Sequence, residues 1–120
     1  MANIYTQAGE ELCVDIIDGT VTAPANYFIG WGTGAGTAEK GDTTLFTEAS
    51  EPRVTAVESQ PVADQNRFVA TLSASAAKTI TNAGVLSALT GGTLLLHSDF
   101  SGVALAANDK IEFTFTLEQT

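Results

Sequence analysis

Basic residues are scarce in this chain: five Lys and Arg stand against fourteen Asp and Glu in 120 residues, a formal charge of −9. A nucleic-acid duplex or an anionic membrane surface would meet this charge with repulsion rather than counterion release, so neither is an expected partner. Cysteine is scarcer still. Cys13 stands alone, which excludes an internal disulfide, and its apolar alternating surroundings predict that it is buried as a small hydrophobe. With His97 as the sole histidine, the chain cannot assemble a zinc site from its own His and Cys residues. No stretch approaches the ~20 apolar residues of a membrane helix, and Met1 to Glu11 carries acid where a secretory signal carries base. The expectation is a soluble product of the cytoplasm.

Long helix-forming side chains are also few, whereas Gly, Thr, Ala and Ser abound. Hydrophobic residues make up 44% and charged residues 16%, far from the composition of disordered chains, and the length suits one core rather than two. Period-two alternation recurs along the sequence. Leu12, Val14 and Ile16 alternate with Cys13, Asp15 and Ile17 before a turn at Asp18-Gly19. Tyr27 to Trp31 forms an aromatic, β-branched run that ends in the small-residue loop Gly32 to Gly36. Thr37 to Pro52 loses the alternation and reads as a long ordered surface loop, with room for one helical turn over Asp42 to Glu48 that pins Leu45 and Phe46 to the core.

Alternation returns over Arg53 to Gln60 and over Arg67 to Ser75, where Phe68, Ala70 and Leu72 share a face; Pro61 to Asn66 joins the two as a hairpin. A weaker strand spans Lys78 to Leu86. Thr90-Gly91-Gly92 is the clearest hairpin turn, since Gly-Gly accepts the positive φ angles required there. Thr93 to Phe100 and Lys110 to Glu118 are the strongest strand signals. In the last, Ile111, Phe113, Phe115 and Leu117 alternate with Glu112, Thr114, Thr116 and Glu118. Seven or eight short strands without a long helix predict an all-β fold, an antiparallel β-sandwich or jelly roll. The expected organisation is a flexible N-terminal arm over residues 1–10, ordering on a neighbouring subunit, followed by one sandwich domain over residues 11–120.

Residues with catalytic potential are few. His97 and Asp99 stand two apart in a strand, so they share a face and have the makings of a base and its orienter, while Ser98 points the other way, out of reach as a nucleophile. A histidine and an acid on a sheet surface is the favoured reading. The glycines of Gly30 to Gly36 lack both the G-x-G-x-x-G spacing and a following Gly-Lys-Ser/Thr, so they read as a structural loop rather than a phosphate cradle. Asp15, Asp18, Asp42 and Asp64 lack calcium-loop spacing. Trp31, Tyr27 and Phe28 have the chemistry of a sugar-stacking platform, but their alternation assigns at least half of them to the core. No catalytic, cofactor or metal site is expected.

Tyr27-Phe28-Ile29-Gly30-Trp31-Gly32-Thr33-Gly34 resembles a stretch of small structural proteins of tailed bacteriophages. Asp42-Thr43-Thr44-Leu45, Glu51-Pro52-Arg53-Val54, Thr79 to Leu86, Gly91 to Leu95 and Asn108 to Phe115 follow in the same order. From Tyr27 onward they span about three quarters of the chain. The pattern departs at Asn82, where an acid is expected, and at Val85, which replaces a bulkier residue. The resemblance implies a virion β-protein without catalysis. Its size, with no coiled-coil heptads or fibrous repeat, is more similar to capsid decoration (cement) proteins than to fibres. Such proteins commonly sit as trimers over junctions between subunits of the major capsid protein, on the capsid exterior. The alternative is a tail-associated receptor-binding or adaptor module engaging a glycan or fibre through the Gly32 to Pro52 loop.

Overall fold

The computed structural model describes residues 2–118. Among them are β1 (Ala2–Tyr5), α1 (Gln7–Asp18), β2 (Phe28–Gly32), β3 (Val54–Thr55), β4 (Val57–Ser59), β5 (Gln65–Ser73), β6 (Lys78–Leu86), β7 (Leu94–Leu105) and β8 (Lys110–Glu118). The strands make two antiparallel sheets, one in the order β1-β7-β6-β2-β3 and one in the order β4-β5-β8. The fold is an all-β sandwich, as the alternation requires.

The two sheets bury their facing sides because each supplies apolar residues at alternate positions. Ile29 and Trp31 of β2, Ala83 and Val85 of β6 and Leu96 of β7 join Phe68, Ala70 and Leu72 of β5 and Phe115 and Leu117 of β8 in one core. The β5–β8 register sets Phe68 against Phe115, Ala70 against Phe113 and Leu72 against Ile111. Trp31 packs edge-on against Phe113 across the gap. Trp31 is therefore a core residue, not part of an exposed platform. The β6–β7 hairpin turns on Gly91 and Gly92 at φ +63° and +74°, which side chains with a Cβ adopt only at a cost. The run from Arg53 to Gln60 is split at buried Ala56, whose N–H goes to Tyr27 O at 2.8 Å. At that residue the chain leaves one sheet for the other.

Two expectations for the N-terminal region are corrected. The alternating run Leu12 to Ile17 is helical. Thr6 caps α1 by accepting the Gly9 N–H at 3.0 Å, and Gly19 closes it in the left-handed conformation with its N–H on Ile16 O. Gly9, Leu12 and Ile16 then fall on one helical face toward the core, whereas Val14 turns to solvent. Cys13 is consequently half-buried on a helix, with the Tyr5 hydroxyl donating to its Sγ at 3.0 Å, rather than sealed inside a strand. The second correction concerns the arm. Residues 2–10 are β1, paired with β7 from Ala2↔Asp99 to Tyr5↔Leu96, followed by the first turn of α1. Met1 lies outside the described residues.

The loop of residues 33–53 forms a third layer on the outer face of the five-stranded sheet. Gly30 pairs opposite Gly84, and Leu45 of the loop fills the space above them, joining Leu86 and Leu94 in a second apolar cluster. No helical turn forms over residues 42–48. The glycine run is fastened rather than loose, since Thr33 N–H bonds to Thr47 O and Gly34 N–H to Phe46 O, each at 3.0 Å. Such contact of backbone on backbone leaves no room for a Cβ. One built at Gly32 would lie 2.3 Å from Phe46 O and 2.9 Å from Thr47 O. Gly32→Ala is therefore expected to destabilise the fold by about 1–3 kcal/mol. Gly41→Ala, where a Cβ meets nothing within 4 Å, should leave the thermal midpoint nearly unchanged in the same melts.

Candidate functional site

The polar residues with chemical potential gather under the loop on the outer face of the five-stranded sheet. Gly32, Asn82 and Asp99 are cross-strand neighbours there, as are Gly30, Gly84 and His97. His97 and Asp99 do share this face, as their spacing predicts, but each is held by the loop and not by the other. His97 is fully buried; its Nδ1 lies 2.7 Å from Asp42 Oδ2 and its Nε2 3.1 Å from Asn82 Oδ1. Asp99 Oδ1 accepts the Ala38 N–H at 3.2 Å. Ser98 faces the interior between the sheets, buried, with Asn3 Oδ1 3.5 Å from its hydroxyl.

The hydrogens of the His97 cluster follow from its partners. Phe46 N–H donates to Asn82 Oδ1 at 3.0 Å and Asn82 Nδ2 donates to Phe46 O at 3.1 Å, which fixes the amide orientation. Nε2 of His97 thus faces an acceptor, and Nδ1 faces a carboxylate oxygen that also accepts the Glu39 N–H at 2.8 Å. Both ring nitrogens of His97 are thus engaged within the protein, with Phe46 tilted over the ring at a centroid distance of 4.6 Å.

A second polar cluster lies at the loop's end. Glu51 accepts from Trp31 Nε1 (3.2 Å), Ser75 N–H (2.9 Å), Ser75 Oγ (3.0 Å) and the Lys78 ammonium. Its side chain is 7% exposed and that of Lys78 14%. Beside it Arg53 grips Glu48 with Nε and Nη2 at 2.7 and 2.9 Å, and spends Nη1 on the carbonyls of Ala88 and Gly91 in the β6–β7 turn. A guanidinium so occupied does not offer the open fork that binds a phosphate or carboxylate. The open cleft of ≈ 280 Å³ beside it, lined by residues 48–53 and 89–91, lacks a free cation for that purpose.

The sequence reading weighed His97, Ser98 and Asp99 as possible chemistry, but named Asp42 only as an acid without calcium-loop spacing and Asn82, Glu51 and Arg53 only as positions of the ordered motifs. A signal existed: glycines at alternate outward positions of β2, with another in β6, mark a sheet face approached by other backbone. Polar residues on that face then have to satisfy the approaching chain. Among the described residues no three His, Cys, Asp or Glu side chains form a group able to hold a metal ion, and no helix is long and apolar enough to cross a membrane. No family model matches the chain, and no curated protein matches it.

Glu51 makes the pH dependence of folding testable. Burial pushes its carboxyl up, but the Lys78 ammonium and the Ser75 N–H and hydroxyl outweigh it and hold the group at about 2, against 4.5 for an ordinary glutamate. A depressed folded value means stability that is complete above about 4.5 and drains away as pH falls toward 2. Urea unfolding between pH 2 and 7 should show this limb. Glu51→Gln should flatten it and cost about 2 kcal/mol at neutral pH by stranding the Lys78 ammonium.

Proposed function

We propose that the chain is a structural protein of a tailed-phage virion: a capsid decoration, or cement, protein that binds the major capsid protein on the outside of the shell as a homo-oligomer. The observation that carries this reading is how the surface is divided. The side chains with chemical potential are spent on internal bonds, while apolar side chains and sheet edges are left outside. Ile17 and Val57 are 86% and 72% exposed, and Val14, Val62 and Leu89 each more than half. β1 and β3 end one sheet and β4 and β8 the other, each edge offering backbone groups to a neighbour. The ordered motifs from Tyr27 onward add the resemblance to phage structural proteins.

On this reading the protein acts by contact energy alone. Binding the assembled shell but not its separated subunits stabilises the shell by linkage, and many copies multiply a modest affinity per site. The charge of −9 favours a basic or neutral coat surface. Synthesis in the host cytoplasm precedes attachment to the capsid exterior. Cryo-imaging of particles with and without the protein tests the proposal. Density over coat-subunit junctions, together with a higher disruption temperature of the decorated shell, is expected. Density confined to the tail would overturn it in favour of an adaptor role, and absence from the particle would remove it altogether.

A further inference from the structure

The nine-residue strand β8 lies at the end of its sheet with β5 on one side only. Two hydrogen bonds show which backbone groups point to the open side. At the start of the β5–β8 ladder, Ala74 N–H donates to Asp109 O at 2.8 Å, so odd-numbered residues turn their N–H and C=O toward β5. Even-numbered residues face away, and from that side Asn3 Nδ2 reaches Thr116 O at 3.3 Å. Lys110, Glu112, Thr114, Thr116 and Glu118 therefore form the open edge. Its register with β5 runs without a break from Glu118 to Lys110, and it contains no proline. Two of the devices that blunt an edge, an internal bulge and a proline, are missing from β8, while the third, charge, is present as Lys110, Glu112 and Glu118 and selects the partner register.

We infer that this edge pairs with β8 of a second copy of the chain, antiparallel about a two-fold axis at Thr114. Side-chain chemistry selects that register. A slip of one residue sets the wet face of one strand against the greasy face of the other. With the axis at Phe113, Lys110 meets Thr116 and no charges pair. At Phe115, Glu112 meets the like charge of Glu118, and at Glu112 the same acid meets itself. The axis at Ile111 also sets Lys110 against an acid, Glu112, but overlaps only three residues of β8; the axis at Thr114 alone pairs all nine residues and places Lys110 opposite Glu118 of the second copy, and symmetry makes the pair twice. On the inner face the same register sets half-buried Ile111 beside Leu117 of the second copy and half-buried Phe113 beside its Phe115. The apolar cleft of ≈ 380 Å³ formed by Phe100, Val103, Ile111 and Phe113 with Ser101 lies at this end of the sandwich, where pairing extends its wall. The second copy displaces at most the long, exposed bond from Asn3.

This pairing specifies the homo-oligomer of the reading above and rests on that reading for that point alone; it gives a dimer instead of the trimer implied by the family resemblance. Sedimentation equilibrium of the purified full chain, without any shell, reads it directly. Wild type should reach twice the chain mass. Lys110→Glu and Glu118→Lys, each turning two opposite-charge pairs into like-charge pairs, should each weaken the dimer about tenfold, and the double variant should recover most of that loss. Both positions are exposed, and an unchanged circular dichroism spectrum confirms that each variant folds. A monomer at all concentrations, a trimer, or a dimer indifferent to both charge reversals overturns the inference. None of these outcomes bears on whether the protein decorates a shell, which particle imaging decides separately.

Discussion

The side chain of Asn82 holds the third layer of this protein in place. The loop of residues 33–53 has no regular structure of its own, yet it lies on a sheet face where unpaired backbone polar groups are costly. Asn82 answers the N–H and the C=O of Phe46 together, which takes a donor and an acceptor on one planar group. A carboxylate at this position could not donate to Phe46 O. With Phe46 seated, its ring covers His97, and His97 in turn completes Asp42. Asp42 caps the Glu39 N–H, and Asp99 takes that of Ala38. The loop is ordered by a chain of such exchanges, each depending on the one before, and Thr81 Oγ1 closes it at the other end on Gly34 O.

The same economy accounts for where the polar side chains went. A buried amide, imidazole or carboxylate is tolerated only when its partners are satisfied, and among the described residues no buried side-chain nitrogen or oxygen lacks one. Satisfying a long loop consumes the very residues from which a site would be built. Glu51 and Arg53 follow this logic at the loop's other end. Glu51 gathers β2, the β5–β6 connection and the first residue of β6, while Arg53 ties Glu48 of the loop to two carbonyls of the β6–β7 turn. The Lys78–Glu51 pair is shielded at both ends and the Arg53–Glu48 pair at its guanidinium, 8% exposed, so removing either acid strands a charge. The exposed Lys40–Glu10 pair contributes little by comparison.

The strands were legible where one face meets the core and the other meets water. Lys110 to Glu118 and Arg67 to Ser75 alternate in this way and correspond to β8 and most of β5, the second running two residues past the strand's end at Ser73. Leu12 to Ile17 misled because a run of apolar residues broken by one acid satisfies both periods. The deciding features lay at the ends, in the cap at Thr6 and the left-handed Gly19. Buried on both faces, β6 showed weak alternation for the same physical reason that its last five residues are all buried. The polar cluster was legible only in part. Sequence spacing gave the shared face of His97 and Asp99, but Asp42 and Phe46 reach them through a loop whose path no local periodicity encodes.

Charge is distributed unevenly, and that bears on how an acidic protein associates at all. The sequence up to Glu39 contains no Lys or Arg, so α1, with Glu10, Glu11, Asp15 and Asp18, is an acidic end; its last turn carries no base to meet the helix dipole. Lys40, Arg53 and Lys78 are engaged with Glu10, Glu48 and Glu51. The remaining two bases, Arg67 and Lys110, sit on the outward side of the three-stranded sheet with Glu112 and Glu118, where the signs balance. Beyond about 8 Å at physiological salt the net charge is largely screened, so local charge decides which surfaces meet. The small sheet can approach a copy of itself without penalty, while the α1 end repels one and suits a basic surface. Contact with a copy of itself and contact with a basic surface thus fall on different parts of the molecule.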